Sequence, residues 1–177
     1  MSQGFEGQPG DLALAVATWV YQLHAAGIVP DDAELAGHCA AVEQATEREA
    51  GDAAGMDLVR RVDALLGGGE PAQVATLASQ LYGDRVKTDL GGGSREERVA
   101  RIRKYQFGSS LPWLARIWER DEAGEVGPSW LLVERVTDQV FAMDPNPLND
   151  IDEERHLPLA DFQVLWELDA CTALYLA

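Results

Sequence analysis

The chain is 177 residues long with 46% apolar and 25% charged side chains, enough for one domain with a real core and ordinary for a soluble globular protein. Its 14 Lys plus Arg stand against 30 Asp plus Glu, a formal charge of −16. A field of that sign repels phosphate backbones and anionic lipid surfaces, which argues against nucleic-acid and membrane-surface binding and leaves a basic protein partner or simple solubility.

Cys39 and Cys171 are the two cysteines, too few for a disulfide framework, so a reducing, cytoplasmic setting is expected. The opening MSQGFEGQPGD carries no basic, signal-like apolar segment. Residues 1–10, rich in glycine, are expected to be a disordered tail. Leu12, Val16, Trp19, Val20 and Leu23 then recur at helical spacing up to Gly27, with Pro30 beyond. Gln22 and His24 interrupt the apolar run, which makes it a soluble helix and not a membrane span.

Asp31 and Asp32 open a second helix with the stripe Leu35, Cys39, Val42, Thr46, acidic residues suiting its first turn. Gly51-Asp52 is expected to divide it from a third, carrying Met56, Val59, Val62 and Leu66 and stopped by Gly67-Gly68-Gly69. Pro71 suits the first turn of a fourth, with Val74, Leu77 and Leu81 on one face. The helical part is thus 11–83, and the pattern changes after Tyr82.

From 84 to 177 the chain reads as an antiparallel sheet with packed helices. Arg85–Thr88 is a short strand. Gly91–Ser94 reads as a flexible loop, natural or engineered. Ser94 and Glu97 have capping-box spacing for a helix from Arg95 to about Gln106. That helix holds Arg95, Arg98, Arg101, Arg103 and Lys104, a basic segment able to dock an acidic surface, including the protein's own acidic helices. Leu111–Asp121 fits both periods. The hairpin-like EAGEVG after it favours a strand. Trp130, Leu132, Glu134 and Val136 alternate with Leu131, Val133 and Arg135, and Val140–Met143 returns from a turn at Thr137-Asp138. Apolar residues on both faces imply a sheet covered on both sides.

Residues 144–154, DPNPLNDIDEE, form an acidic loop. Its oxygens suit Ca²⁺, but the spacing is not that of an EF-hand and the turn glycine is missing, so a solvated loop is expected, with no metal and no cofactor. A short proline-bearing edge strand at His156–Leu159, a helix over Ala160–Leu168 and a last strand at Thr172–Leu176 complete the chain. The fold class expected is α+β: N-terminal helices, then a four- or five-stranded antiparallel sheet, the whole forming one compact domain.

The stretch SWLLVERVTDQVFAMDP, followed by LPLADF and Trp166, resembles the second half of the bacterial papain-like cysteine peptidases that process double-glycine leaders. There a strand opening on His and an aromatic turns back into a strand ending in Asp-Pro, and a helix with a Trp follows. The resemblance implies a papain-like arrangement, with Cys39 as counterpart of the nucleophile and Asp144 as the orienting carboxylate. Such chemistry needs a thiol of lowered pKa, an imidazole to shuttle its proton and an oxyanion donor. At the family's His position stands Ser129, and the glutamine expected just before Cys is replaced by Asp32-Ala33-Glu34-Leu35. The resemblance therefore implies a catalytically degenerate relative.

A lone cysteine on an apolar stripe is also an ordinary small core residue. His38 adjoins Cys39, but helix neighbours point about 100° apart and form no dyad. Trp113, Trp118 and Trp130 are candidates for a partner contact wherever they reach the surface. The leading expectation is a non-enzymatic, acidic protein-interaction module or regulator. The alternatives are an active cysteine peptidase or acyltransferase-like enzyme using Cys39 and Asp144 with His156 or His38, and an immunity or inhibitor protein that meets a basic toxin.

Overall fold

The structure, a computed structural model, describes residues 9–89, 94–107, 109–120, 123–143, 154–167 and 172–176. The expectations placed on residues 1–8, Gly91–Gly93, Asp144 and the rest of its loop to 153, and Cys171 lie outside them. Four helices come first: α1 Pro9–Ala25, α2 Ala33–Gln44, α3 Arg48–Leu65 and α4 Pro71–Tyr82.

Their boundaries have local causes. The N–H groups of Gly27 and Ile28 close α1 by donating to the carbonyls of His24 at 3.0 Å and Leu23 at 2.8 Å. Gly27 takes φ +91° to do so, which glycine tolerates best. Asp32 caps α2, its carboxylate accepting from the Leu35 N–H at 2.8 Å. Pro71 sits at the start of α4, where an N–H is not needed.

Two expectations need correcting. Residues 9 and 10 belong to α1, and Gly51 lies inside α3 because the break falls earlier, at Ala45–Glu47. The Gly51 N–H donates to Glu47 at 2.9 Å within the helix. One interior glycine costs about 1 kcal/mol, less than the burial of Leu58 and Val62 returns at about 1.5–3 kcal/mol each. The buried stripe of α3 is consequently Leu58 and Val62, and Met56 faces solvent.

A single 3₁₀ turn, Gly83–Arg85, leads into β1 Val86–Asp89. Then follow α5 Arg95–Tyr105, β2 Trp113–Arg120, β3 Val126–Val136, β4 Gln139–Met143, β5 Glu154–Pro158, α6 Leu159–Glu167 and β6 Ala173–Leu176. The fold is α+β, and its sheet has six strands in the order β1-β6-β2-β3-β4-β5, every pair antiparallel. That exceeds the four or five expected because short β1 and proline-ended β5 both pair, one at each edge. Pro158 sits at the end of edge strand β5, where a missing N–H is tolerated.

Alternation along the strands separates two cores. Leu114, Trp130, Leu132, Leu174 and Leu176 face the four-helix layer and share its core with Val16, Trp19, Leu35 and Cys39. Trp113, Ala115, Ile117, Leu131 and Val133 face the other way, onto Ile102 of α5 and Phe162 and Trp166 of α6. The helical part and the sheet therefore share one core, and both sheet faces are covered.

Candidate functional site

Cys39 lies on the inner face of α2, fully buried in the core shared by α1–α4 and the sheet. Burial, and then the carboxylate of Glu43 one turn on, push its thiol up to about 11. Both influences disfavour the thiolate, the reverse of what a catalytic thiol needs. Beside it the Tyr82 hydroxyl is also raised, first by burial and then by Cys39, and its ring meets Trp19 edge to face at 5.5 Å.

Ser129 lies on β3 directly opposite Ile117 of β2. Ile117 belongs to the core on the α5–α6 side, and Trp130, the next residue along β3, to the core on the helical-layer side. Strand alternation thus puts Ser129 and Cys39 on opposite sides of the sheet. The structure does not bring them together. Asp144 follows the end of β4 and lies outside the described residues.

The histidines are engaged elsewhere. His24 Nδ1 is 2.8 Å from Glu43 Oε1, tying the end of α1 to the end of α2. His38 Nε2 stands 3.8 Å from Glu34 one turn back on α2, with no hydrogen bond at that length. His156, exposed on edge strand β5, sets its ring against Phe141 of β4 at 4.6 Å. The Arg135 guanidinium lies 3.9 Å from the centre of that same Phe141 ring, a cation–π contact from β3 to β4.

Of the three tryptophans expected as partner contacts, Trp113 is 1% exposed and Trp130 7%. Trp113 lies under Phe162 and Trp166 of α6, with ring centres 6.2 and 5.8 Å away. Trp130 donates its indole N–H to the Gly69 carbonyl, 3.0 Å away in the α3–α4 loop. Neither presents a ring to a partner; a sheet covered on both faces consumes them as core. Trp118 is half-buried, opposite Pro128 on β3, and Val126 nearby is 52% exposed. An apolar tip on the β2–β3 hairpin is what remains of the expected surface.

One further charged group, Arg61, bridges two acidic residues at the start of α2 and carries no motif in the sequence. Arg61 of α3 donates to Asp32 at 2.9 Å, and its Nε stands 3.2 Å from Glu34, at an angle too poor for a hydrogen bond. The Arg61 hydrogen bond, and then the Leu35 N–H, hold the Asp32 carboxyl below its usual 3.8. The pairing of residues 32 and 61 depends on how α2 packs on α3, which no local motif announces. Among the described residues no group of three or more His, Cys, Asp or Glu is placed to hold a metal ion, and no helix is long and apolar enough to cross a membrane.

These placements supply charged and apolar surfaces and a sealed thiol. No protein family, no curated protein and no solved structure matches the chain.

Proposed function

We propose that this chain is a non-enzymatic, acidic protein-interaction module or regulator, working in the cytoplasm on a degenerate papain-like scaffold. The observation that carries the reading is Cys39: a fully buried thiol pushed up to about 11 is protonated at neutral pH and closed to substrate. Ser129 supports it, since the position that holds the base in the peptidases carries no imidazole and lies across the sheet from the cysteine. The papain-like reading rests on the order of elements from α5 to β6 and on the Asp-Pro after β4. The −16 charge favours a basic partner. A toxin-binding immunity role is the form of this reading in which charge does most of the recognition.

Site-resolved iodoacetamide labelling at neutral pH, read by peptide mass spectrometry, tests it. Cys39 is expected to stay unlabelled while the protein is folded and to react fully after denaturation. Rapid labelling of Cys39 in the folded protein establishes the enzyme reading instead. In the companion arm, complexes captured from the native host are washed at low and high salt. Steep loss at high salt identifies a charge-driven toxin complex, and retention identifies an adaptor held by apolar contacts.

A further inference from the structure

The helix α5 is seated on the sheet by little. Among its described side chains only Arg98 and Ile102 are buried, with Gln106 just beyond its end, and Ile102 alone is apolar. Arg98 Nε and Gln106 Oε1 are buried without a hydrogen-bond partner among the described residues. One flank of α5 borders a groove of about 390 Å³ against α6, lined by Glu96, Ala100, Arg103, Gln163, Glu167 and Val99, the last of them partly buried against the α5–α6 core.

The four groove residues of α5 form a pattern with a centre. Glu96 lies in the first turn and Arg103 in the last, seven residues or about two turns apart. Their midpoint falls between Val99 and Ala100, the two small apolar residues of the set. Glu97 and Lys104 repeat the same spacing one residue on. Arg95, Arg98 and Arg101 make the rest of the helix basic, but along this one stripe the order is acidic, apolar, basic, which is complementary to its own antiparallel copy. Arg103 is steadied for the contact by the Phe107 ring, 5.2 Å from its guanidinium carbon.

We infer that α5 is the contact of a twofold-symmetric dimer of this chain. In it two copies of α5 run antiparallel, crossing at Val99-Ala100 with Glu96 of each against Arg103 of the other. Small side chains at the crossing let helix axes approach to the usual 8–10 Å, and a twofold axis makes every ion pair occur twice. The dimer does not depend on the function proposed above; it needs only the order of charge along the Glu96–Arg103 stripe of α5. Two chains of charge −16 repel at long range. Association is therefore expected near ~150 mM salt, where a screening length of about 8 Å silences the distant charges and spares the contacting ones.

Sedimentation and light scattering of the full chain at that ionic strength test it. The wild type is expected at twice 19.2 kDa. Glu96→Arg puts like charges at both ends of the contact, as does Arg103→Glu, and each is expected to weaken association about tenfold or more. An equimolar mixture of the two single variants restores opposite charges at both ends and is expected to recover the dimer. A misfolded variant cannot produce that recovery. Ala100→Arg keeps a good helix former and crowds the crossing with like charge, and is expected to be monomeric with an unchanged circular dichroism spectrum. A monomeric wild type overturns the inference. So does a dimer indifferent to Ala100→Arg, or single variants whose mixture stays monomeric.

Discussion

Trp19 and Trp113 are each only 1% exposed, yet their indole N–H groups fare differently. Trp19 donates to the Pro112 carbonyl at 3.0 Å, inside the core and across 93 residues of sequence. Trp113 Nε1 has no hydrogen-bond partner among the described residues. Replacing either with phenylalanine removes similar apolar area. Only Trp19→Phe takes the donor from a buried carbonyl, whereas Trp113→Phe deletes a donor already unmet. An unsatisfied buried group costs about 1–3 kcal/mol, so Trp113→Phe is expected to be milder than Trp19→Phe by about that amount. Urea unfolding of the two variants measures it, and equal losses reject the account. Helical spacing places Trp19 on the apolar stripe of the first helix, whereas Trp113 reads from the sequence as core or surface alike. Trp113 is a candidate contact only where it reaches the surface, and α6 lies over it.

Elements were more legible than residues, and where they failed the cause is local. The alternation of β3 predicts Val136 on the face of Trp130 and Leu132. In the structure Val133 pairs with Ala142 and Arg135 with Phe141, a bulge that shifts the phase by one. Val136 thereby joins Leu131 and Val133 on the α5–α6 side. Periodicity carries no mark of an inserted residue, so pattern reading crosses a bulge blind. The start of α2 was legible from Asp31 and Asp32, but neither the capping role of Asp32 nor its tie to Arg61 of α3 was. Asp32 has its folded pKa held below the unfolded 3.8, by the Arg61 hydrogen bond first and then the Leu35 N–H. A depressed carboxyl contributes stability that is fully present above the unfolded value and is lost as pH falls through the folded one. Asp32→Ala removes cap and pair together and is expected to cost about 1–2 kcal/mol at pH 7. Asp32→Asn keeps an acceptor for the Leu35 N–H and is expected to cost less. Its deficit against wild type should shrink between pH 5 and pH 3, because protonated Asp32 is as neutral as Asn. A deficit that persists unchanged at pH 3 in urea titrations contradicts the ion-pair assignment.

At the scale of the whole molecule the dominant quantity is the charge of −16, legible at a glance in composition but silent about where it acts. The structure locates only part of the balance. Arg61 answers Asp32 and Glu34, Arg60 answers Asp57, and basic residues crowd α5. Excess carboxylates repel one another more in the compact state than in the unfolded chain, so the charge subtracts from stability. Screening relieves that repulsion. Raising sodium chloride from ~10 to ~150 mM shortens the screening length from about 30 to about 8 Å. The melting temperature is therefore expected to rise, by about 2–4 °C for each kcal/mol recovered in a chain of this size. Salt that favours a dimer also raises the apparent stability by mass action. Ala100→Arg separates the two effects: a rise retained in this variant belongs to repulsion within one chain, and a rise lost with it belongs to association. A melting temperature that stays flat or falls with salt in both proteins means that local ion pairs such as Arg61–Asp32 outweigh the net charge.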